Sequence, residues 1–333
     1  MIELARIRSA AELLRGRVHR TPLLSSTSLG AMAGVELWLK CESLQKTGSF
    51  KARGALHRVL RLSADERARG LITVSAGNHA AAVAWAARQI GAPCAVVMPE
   101  DAPQAKLDAV RGYGAELILH PDRAALFERL ERERVARGAV FVHPFDDPDV
   151  LAGAGTVGLE ILEDVPNLDM VVVPVGGGGL MGGVASAIKA QRPEVRVVAV
   201  ELAGGPGLTP ALAAGEPVPV KRPATLADGM TPPFVGALPL QIARTCVDRI
   251  ALVREEELRH AMRLLATRAK LWVEASGAAA VAAVLGCSTR SGSAGEAGEH
   301  PASALTIPQG ARVVAVVSGG NLDGRCFDPD RTG

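Results

Sequence analysis

Short apolar runs rich in β-branched residues alternate with helical stretches over most of this chain, and that alternation is its tightest constraint on fold. Glu36–Lys40, Leu71–Ser75, Pro93–Met98, Glu116–Leu119, Met170–Val175, Arg196–Glu201 and Arg312–Val317 read as strands. Between them lie helical patterns, among them an Ala-rich stretch from Asn78 to Ile90 and others near Ala105–Tyr113 and Arg123–Arg137. Strands separated by helices of this length predict an α/β architecture of parallel sheets with helices on both faces. At 333 residues the chain has room for two such units. The Pro- and Asp-rich stretch His143–Asp149 is the expected crossover between domains. Gly286–Gly310, rich in Ser, Gly and Ala, is the expected surface loop.

Several classes of function are excluded early. The net charge of +2 leaves no electrostatic footprint for nucleic acid, and an aromatic content of 3% leaves few platforms for stacking bases. Five scattered cysteines (Cys41, Cys94, Cys246, Cys287, Cys326) without a Cys-x-x-Cys pair read as reduced thiols in a cytoplasmic protein. The first fourteen residues read as a charged amphipathic helix with no signal-like apolar stretch. Met170–Ile188 is long enough and uncharged enough to span a membrane, but it contains Pro174 and six glycines. It reads as a buried strand, a loop and the start of a helix. No membrane partner is expected.

Glycine and small polar residues concentrate at three strand ends. Gly176-Gly177-Gly178-Gly179 follows the strand Met170–Val175 and precedes a helix beginning near Leu180. Successive backbone N–H groups there, with the helix dipole behind them, make an anion cradle. Gly177, Gly179 and Gly182 also fit G-x-G-x-x-G with Glu201 closing the next strand, so a dinucleotide site and plain tight packing both stay open. Ser75-Ala76-Gly77-Asn78-His79 offers free N–H groups, a hydroxyl, an amide and an imidazole to a carboxylate. It can equally be a helix capped by Ser75 or Asn78. Ser318-Gly319-Gly320-Asn321 can approach a flat ring closely or be an ordinary turn. Lys51 enters a helix with Phe50 before it and small residues after it. The positive end of the helix dipole disfavours a charged amine there, which suits a nucleophile or base.

Together, Gln45–Ala55 (Q-K-T-G-S-F-K-A-R-G-A), Ser75–His79 (S-A-G-N-H), Gly176–Gly179 and Ser318–Asn321 (S-G-G-N) resemble the fold-type II pyridoxal-phosphate enzymes, in the same chain order. The match is to the threonine/serine dehydratase branch, which includes serine racemase. It runs from Arg20-Thr21-Pro22-Leu23 to Asp323, taking in Thr225–Gly229 and Val273–Gly277. A nicotinamide site would have no use for the lysine motif, so the resemblance displaces that reading.

The resemblance implies pyridoxal 5'-phosphate held by Lys51 as a Schiff base, with Lys51 then taking the Cα proton of an amino-acid substrate. Phe50 would pack on the pyridine ring and Asn78 would bond its 3' oxygen. Gly176, Gly177, Gly178, Gly179 and Leu180 would hold the phosphate, and Ser318 would face the ring nitrogen. Gly229 and Glu274 would line the far side. Ser75, Gly77, Asn78 and His79 would receive the substrate carboxylate. Residues 1–55 and 146–333 would form a large cofactor-binding domain and 56–145 a small mobile one, in a homodimer or homotetramer.

The implied reaction is dehydration and deamination of L-threonine or L-serine to a 2-oxo acid and ammonia. A hydroxyl at the ring nitrogen makes a weak electron sink, which favours prompt loss of a β-leaving group. Dehydration of hydroxyaspartate or phenylserine, racemisation, and cofactor binding without turnover are the alternatives. Racemising members carry a second serine in S-S-G-N-H where this chain has Ala76, so little racemisation is expected. The divalent-cation site of some members is reduced here to Glu201, with Gly207 where an aspartate would align; one carboxylate is a poor hard-cation site. No isoleucine-sensing regulatory domain is expected after Asp323.

Overall fold

The computed structural model describes residues 1–220, 223–288 and 305–322. Its ten strands are β1 (Leu23–Ser25), β2 (Glu36–Cys41), β3 (Leu71–Val74), β4 (Cys94–Pro99), β5 (Glu116–His120), β6 (Val140–Phe141), β7 (Met170–Pro174), β8 (Arg196–Leu202), β9 (Arg249–Val253) and β10 (Arg312–Val317). They form a six-stranded sheet of order β1-β2-β10-β7-β8-β9 and a four-stranded sheet of order β5-β4-β3-β6. Every pairing is parallel except β1 with β2. This is the α/β architecture that the alternation predicted. The strands absent from the sequence reading are β1, β6 and β9. β1 and β6 have three and two residues, too few to show a period, and β9 is an edge strand only partly buried.

Continuous apolar strands arise because both faces of the large sheet are covered. Along β10, Val313, Ala315 and Val317 face one core, shared with the Ala-rich helix Ala275–Ser288. Val314 and Val316 face the other, shared with the helices Pro148–Asp164 and Gly179–Gln191. The expected loop from Gly286 onward therefore begins later, since this helix runs to Ser288. Residues 289–304 of that loop lie outside the described residues, as does Cys326.

Much of the glycine in this chain serves helix contact. A β-carbon on Gly183 would lie 2.4 Å from the Leu151 carbonyl oxygen, and one on Gly54 would lie 2.6 Å from that of Val150. Helices Lys51–Leu60, Pro148–Asp164 and Gly179–Gln191 thus pack backbone to backbone. The middle one starts cleanly: Asp147 accepts from the N–H groups of Asp149 and Val150, and Pro148 occupies the first turn. That bundle fixes where Lys51 stands relative to the glycine-rich loop. Among the described residues no helix is long and apolar enough to cross a membrane.

Candidate active site

Lys51 opens its helix directly after Phe50, and its Nζ donates to the Pro144 carbonyl oxygen at 2.7 Å while lying 5.0 Å from the Phe50 ring centre. Burial pushes the amine down to about 8. Desolvation, rather than the helix end, is the cause here. The strand end after β10 closes over this start. The Phe50 N–H donates to the Ser318 carbonyl, and Ser49 bridges Gly319. Ser318 Oγ is buried and reaches the Ser276 carbonyl at 3.4 Å.

A chain of amides leads away from that junction. Asn321 Nδ2 donates to the Thr47 carbonyl and to Asn78 Oδ1, both at 2.8 Å, and Asn78 Nδ2 donates to Glu274 Oε1 at 2.6 Å. Thr47 sits at φ 59°, a left-handed conformation rare for threonine, and Gly48 follows at φ 74°. A β-carbon on Gly48 would strike the Asn321 side chain at 2.2 Å. Burial first, and then the neighbouring Asp228, raise the Glu274 carboxyl to about 7.

The loop Ser75–His79 lies on the other side of Asn78. No side chain caps the helix Asn78–Gln89; Ser75 Oγ instead accepts from the Gly77 N–H at 3.1 Å. The capping alternative therefore fails, and the first-turn N–H groups have no side-chain cap. His79 is buried, its Nε2 on the Val142 carbonyl oxygen at 3.0 Å and its Nδ1 without a partner; burial first, then Lys51, lower it to about 3.

Gly176–Gly179 forms the opposite wall. Gly178, at φ 90°, precedes the helix Gly179–Gln191, whose start also has no side-chain cap. A β-carbon on Gly176 would lie 2.5 Å from the Gly229 carbonyl oxygen, and one on Gly177 would strike the Phe145 ring at 2.2 Å. Gly229 in turn donates its N–H to Ser276 Oγ, and Leu180 is buried in the first helical turn. The uncapped glycine loop suits a phosphate, and the desolvated amine suits a carbonyl group; both fit pyridoxal phosphate. One constellation thus gathers Phe50, Lys51, the Ser75–His79 loop, Gly176–Gly179, Gly229, Glu274 and Ser318.

Glu201 does not join it. Its buried carboxylate accepts from the N–H groups of Gly207, Leu208 and Thr209 and from Thr209 Oγ1, at 2.5–2.9 Å. The acid satisfies the first-turn N–H groups of the helix Leu208–Ala214; among the described residues no group of three or more His, Cys, Asp or Glu is placed to hold a metal. Residues missing from the sequence reading are Pro144, Phe145, Asn321 and the pair Lys106–Asp228, which joins the small-sheet side to the loop before Gly229. Asn321 was visible as the last letter of S-G-G-N. The others have no local signal.

Glu274 yields a pH test on the protein without cofactor. Its folded pKa of about 7 lies above the ordinary carboxylate value, so its contribution favours folding in acid and is lost as pH rises through 7. The loss amounts to about 3 kcal/mol well above pH 7. Glu274→Gln keeps the acceptor for Asn78 without titrating. The expected result is a melting temperature that falls less between pH 4.5, the ordinary carboxylate value, and pH 7.5 in the variant than in the wild type. Parallel curves would remove Glu274 from this role.

The family profile described as pyridoxal-phosphate dependent enzyme matches residues 14–319. The chain is 43% identical to an L-threonine ammonia-lyase of Thermotoga maritima over 98% of this chain and 78% of that protein. It is 40% identical to a serine racemase of Oryza sativa subsp. indica over 95% and 90%. The structure superposes on that of maize serine racemase with a TM-score of 0.88 at 37% identity, covering 97% of this chain and 95% of that one. These likenesses span nearly the whole chain and include the strands of both sheets. The chain belongs to the pyridoxal-phosphate dependent enzyme family, and its cofactor is pyridoxal phosphate.

Proposed function

We propose that this pyridoxal-phosphate-dependent lyase removes the β-hydroxyl and amino groups of L-threonine, and more slowly of L-serine, giving a 2-oxo acid and ammonia. The observation that carries the reading is the buried Lys51 amine on the Pro144 carbonyl, in the segment whose Val142 carbonyl takes His79 and whose Phe145 ring packs on Gly177. The names borne by the Thermotoga maritima relative and its kin support the same chemistry.

Bound in the cleft, the cofactor supplies an electron sink in conjugation with the substrate Cα. Gly176–Gly179 would hold its phosphate, Phe50 would pack on the ring, Asn78 would bond the 3' oxygen, and Ser318 Oγ would face the ring nitrogen. Gly229 and Glu274 would line the remaining side. Lys51 Nζ would hold the cofactor and, when released, take the Cα proton; the Pro144 carbonyl keeps that amine aimed into the cleft. Ser75, Gly77, Asn78 and His79 would orient the substrate carboxylate on first-turn N–H groups. A Ser318 hydroxyl cannot share a ring proton as an acid would, so departure of the β-hydroxyl is favoured over return of the proton. The two sheets divide the labour: residues 1–55 and 146–333 as the cofactor domain, 56–145 as the mobile side, in a homo-oligomer.

The test is a coupled assay on cofactor-loaded protein. L-threonine is expected to give 2-oxobutanoate and ammonia in equal amounts; a loaded protein yielding neither would overturn the reading. Racemisation is the second reading, since serine racemases are among the relatives. It requires a proton carrier on the face opposite Lys51, and Ala76 offers none. Chiral chromatography of L-serine incubations is expected to show D-serine at less than roughly a hundredth of pyruvate, because a missing acid–base group costs about 10²–10⁴ in rate. Comparable rates would reinstate the racemase.

A further inference from the structure

The chain is only 3% aromatic, yet four of its six phenylalanines gather around one histidine beside the cleft. His143 lies 4.8 Å from Phe145 and 5.2 Å from Phe141, and Phe234 lies 5.5 Å from Phe145 and 6.0 Å from Phe127, between ring centres. Phe145 is buried against Gly177, while Phe127, Phe141, His143 and Phe234 are half-buried. Phe127 belongs to the helix Leu126–Arg137 on the small-sheet side, and Phe234 follows Gly229 on the large-sheet side. Their rings meet where the two sides converge.

Three of these five residues lie on the segment 141–145. Its Val142 carbonyl takes His79, and its Pro144 carbonyl takes Lys51. The rings therefore begin one residue from the reacting amine, between the carboxylate loop and the glycine cradle. A substrate with its carboxylate on Ser75–His79 and its Cα proton facing Lys51 has its Cβ substituent left for this side. Among the described residues, the charged groups that face this side are already engaged. His143 Nδ1 accepts from the N–H groups of Phe145 and Asp146, and burial holds the ring neutral, at about 4. Lys106 is committed to Asp228, and Asp146 to the N–H groups of Ala237 and Leu238.

We propose that Phe127, Phe141, His143, Phe145 and Phe234 form the pocket for the Cβ substituent and select apolar substituents, methyl and phenyl, over the hydrogen of serine and the carboxylate of hydroxyaspartate. This rests on the β-elimination reading above and names its substrate class. One carbon in an apolar pocket is worth roughly 10–200-fold in kcat/KM.

The experiment compares L-threonine, L-serine, L-threo-phenylserine and L-threo-3-hydroxyaspartate on the holoenzyme. Titration calorimetry of L-2-aminobutyrate, L-alanine and L-aspartate, which lack the leaving group, is run alongside. The expected result is threonine over serine by about tenfold or more, measurable phenylserine turnover, hydroxyaspartate last, and 2-aminobutyrate bound most tightly. Phe234→Ala is expected to bring the threonine/serine ratio to within about threefold, and Phe234→Leu to keep most of it. Serine equal to threonine, aspartate bound best, or an unchanged ratio in Phe234→Ala would overturn the pocket. If no substrate yields a 2-oxo acid, the β-elimination reading falls, and the order of analogue binding alone decides the pocket.

Discussion

Lys51→Ala is expected to lower kcat for L-threonine by at least about 10⁴, and to abolish the visible absorbance of the loaded protein together with its sensitivity to borohydride. The size follows from the proposed assignment, in which one atom, Nζ, would both hold the cofactor and move the Cα proton; a positioned acid–base group alone accounts for roughly 10²–10⁴. The two histidines beside the amine are no substitute for it. His79 is buried and neutral with Nε2 on Val142, and His143 Nδ1 is occupied by two backbone N–H groups. Lys51→Arg keeps the charge but not an amine that can lose its proton, so it is expected to be equally inactive. Retention of the visible band in Lys51→Ala would show that another residue holds the cofactor and would undo the site assignment.

Arg53→Met is expected to destabilise the fold by about 3–5 kcal/mol, the cost of stripping a buried ion cluster of its central cation. Arg53 stands two residues past Lys51 and is 1% exposed. Its guanidinium grips Glu42 through two bonds of 2.8 Å and Glu160 through bonds of 2.6 and 2.9 Å, and it reaches Thr156 Oγ1. Lys40 Nζ adds a bond of 2.6 Å to Glu160 and one to the Thr21 carbonyl. Burial opposes the guanidinium charge, but Glu42 and Glu160 outweigh it and raise its proton affinity. Without Arg53, the buried Glu42 keeps only the Thr21 hydroxyl and has no cation, while the half-buried Glu160 keeps Lys40. Thermal unfolding followed by circular dichroism is expected to show a melting temperature lower by on the order of 10 °C. A shift under about 2 °C would mean that the cluster tolerates an unpaired carboxylate.

The contrast between these two residues explains what the sequence could and could not reveal. Lys51 is legible because its neighbours are local: an aromatic before it, small residues after it, and a loop-to-helix junction around it. The phosphate cradle and the Ser75–His79 loop are legible for the same reason, each lying at a strand end within five residues. Arg53 stands in the same motif and gives no sign of its role, because its partners lie 11 and 107 residues away and meet it only through folding. Glu201 shows the converse. Its spacing from Gly182 imitates a ribose-binding acid, yet three N–H groups and a hydroxyl consume both its oxygens. Spacing reveals which groups are near in the chain; it is silent on which of them are already satisfied. The glycines divide along the same line, since the loops were readable and the helix contacts at Gly54 and Gly183 were not.

The place of β10 sets an order of events during synthesis. This strand fills the gap between β2 and β7, and the residues just beyond it tie Ser318 to Phe50, Gly320 to Gly48 and Asn321 to Thr47. The large sheet is therefore split until residues 312–322 leave the ribosome, and Lys51 emerges some 260 residues before its surroundings exist. The four-stranded sheet, drawn entirely from residues 71–141, has no such wait. A nascent chain can complete that half early, whereas a truncated product would lack both the strand that joins β2 to β7 and the residues that bond Phe50, Gly48 and Thr47.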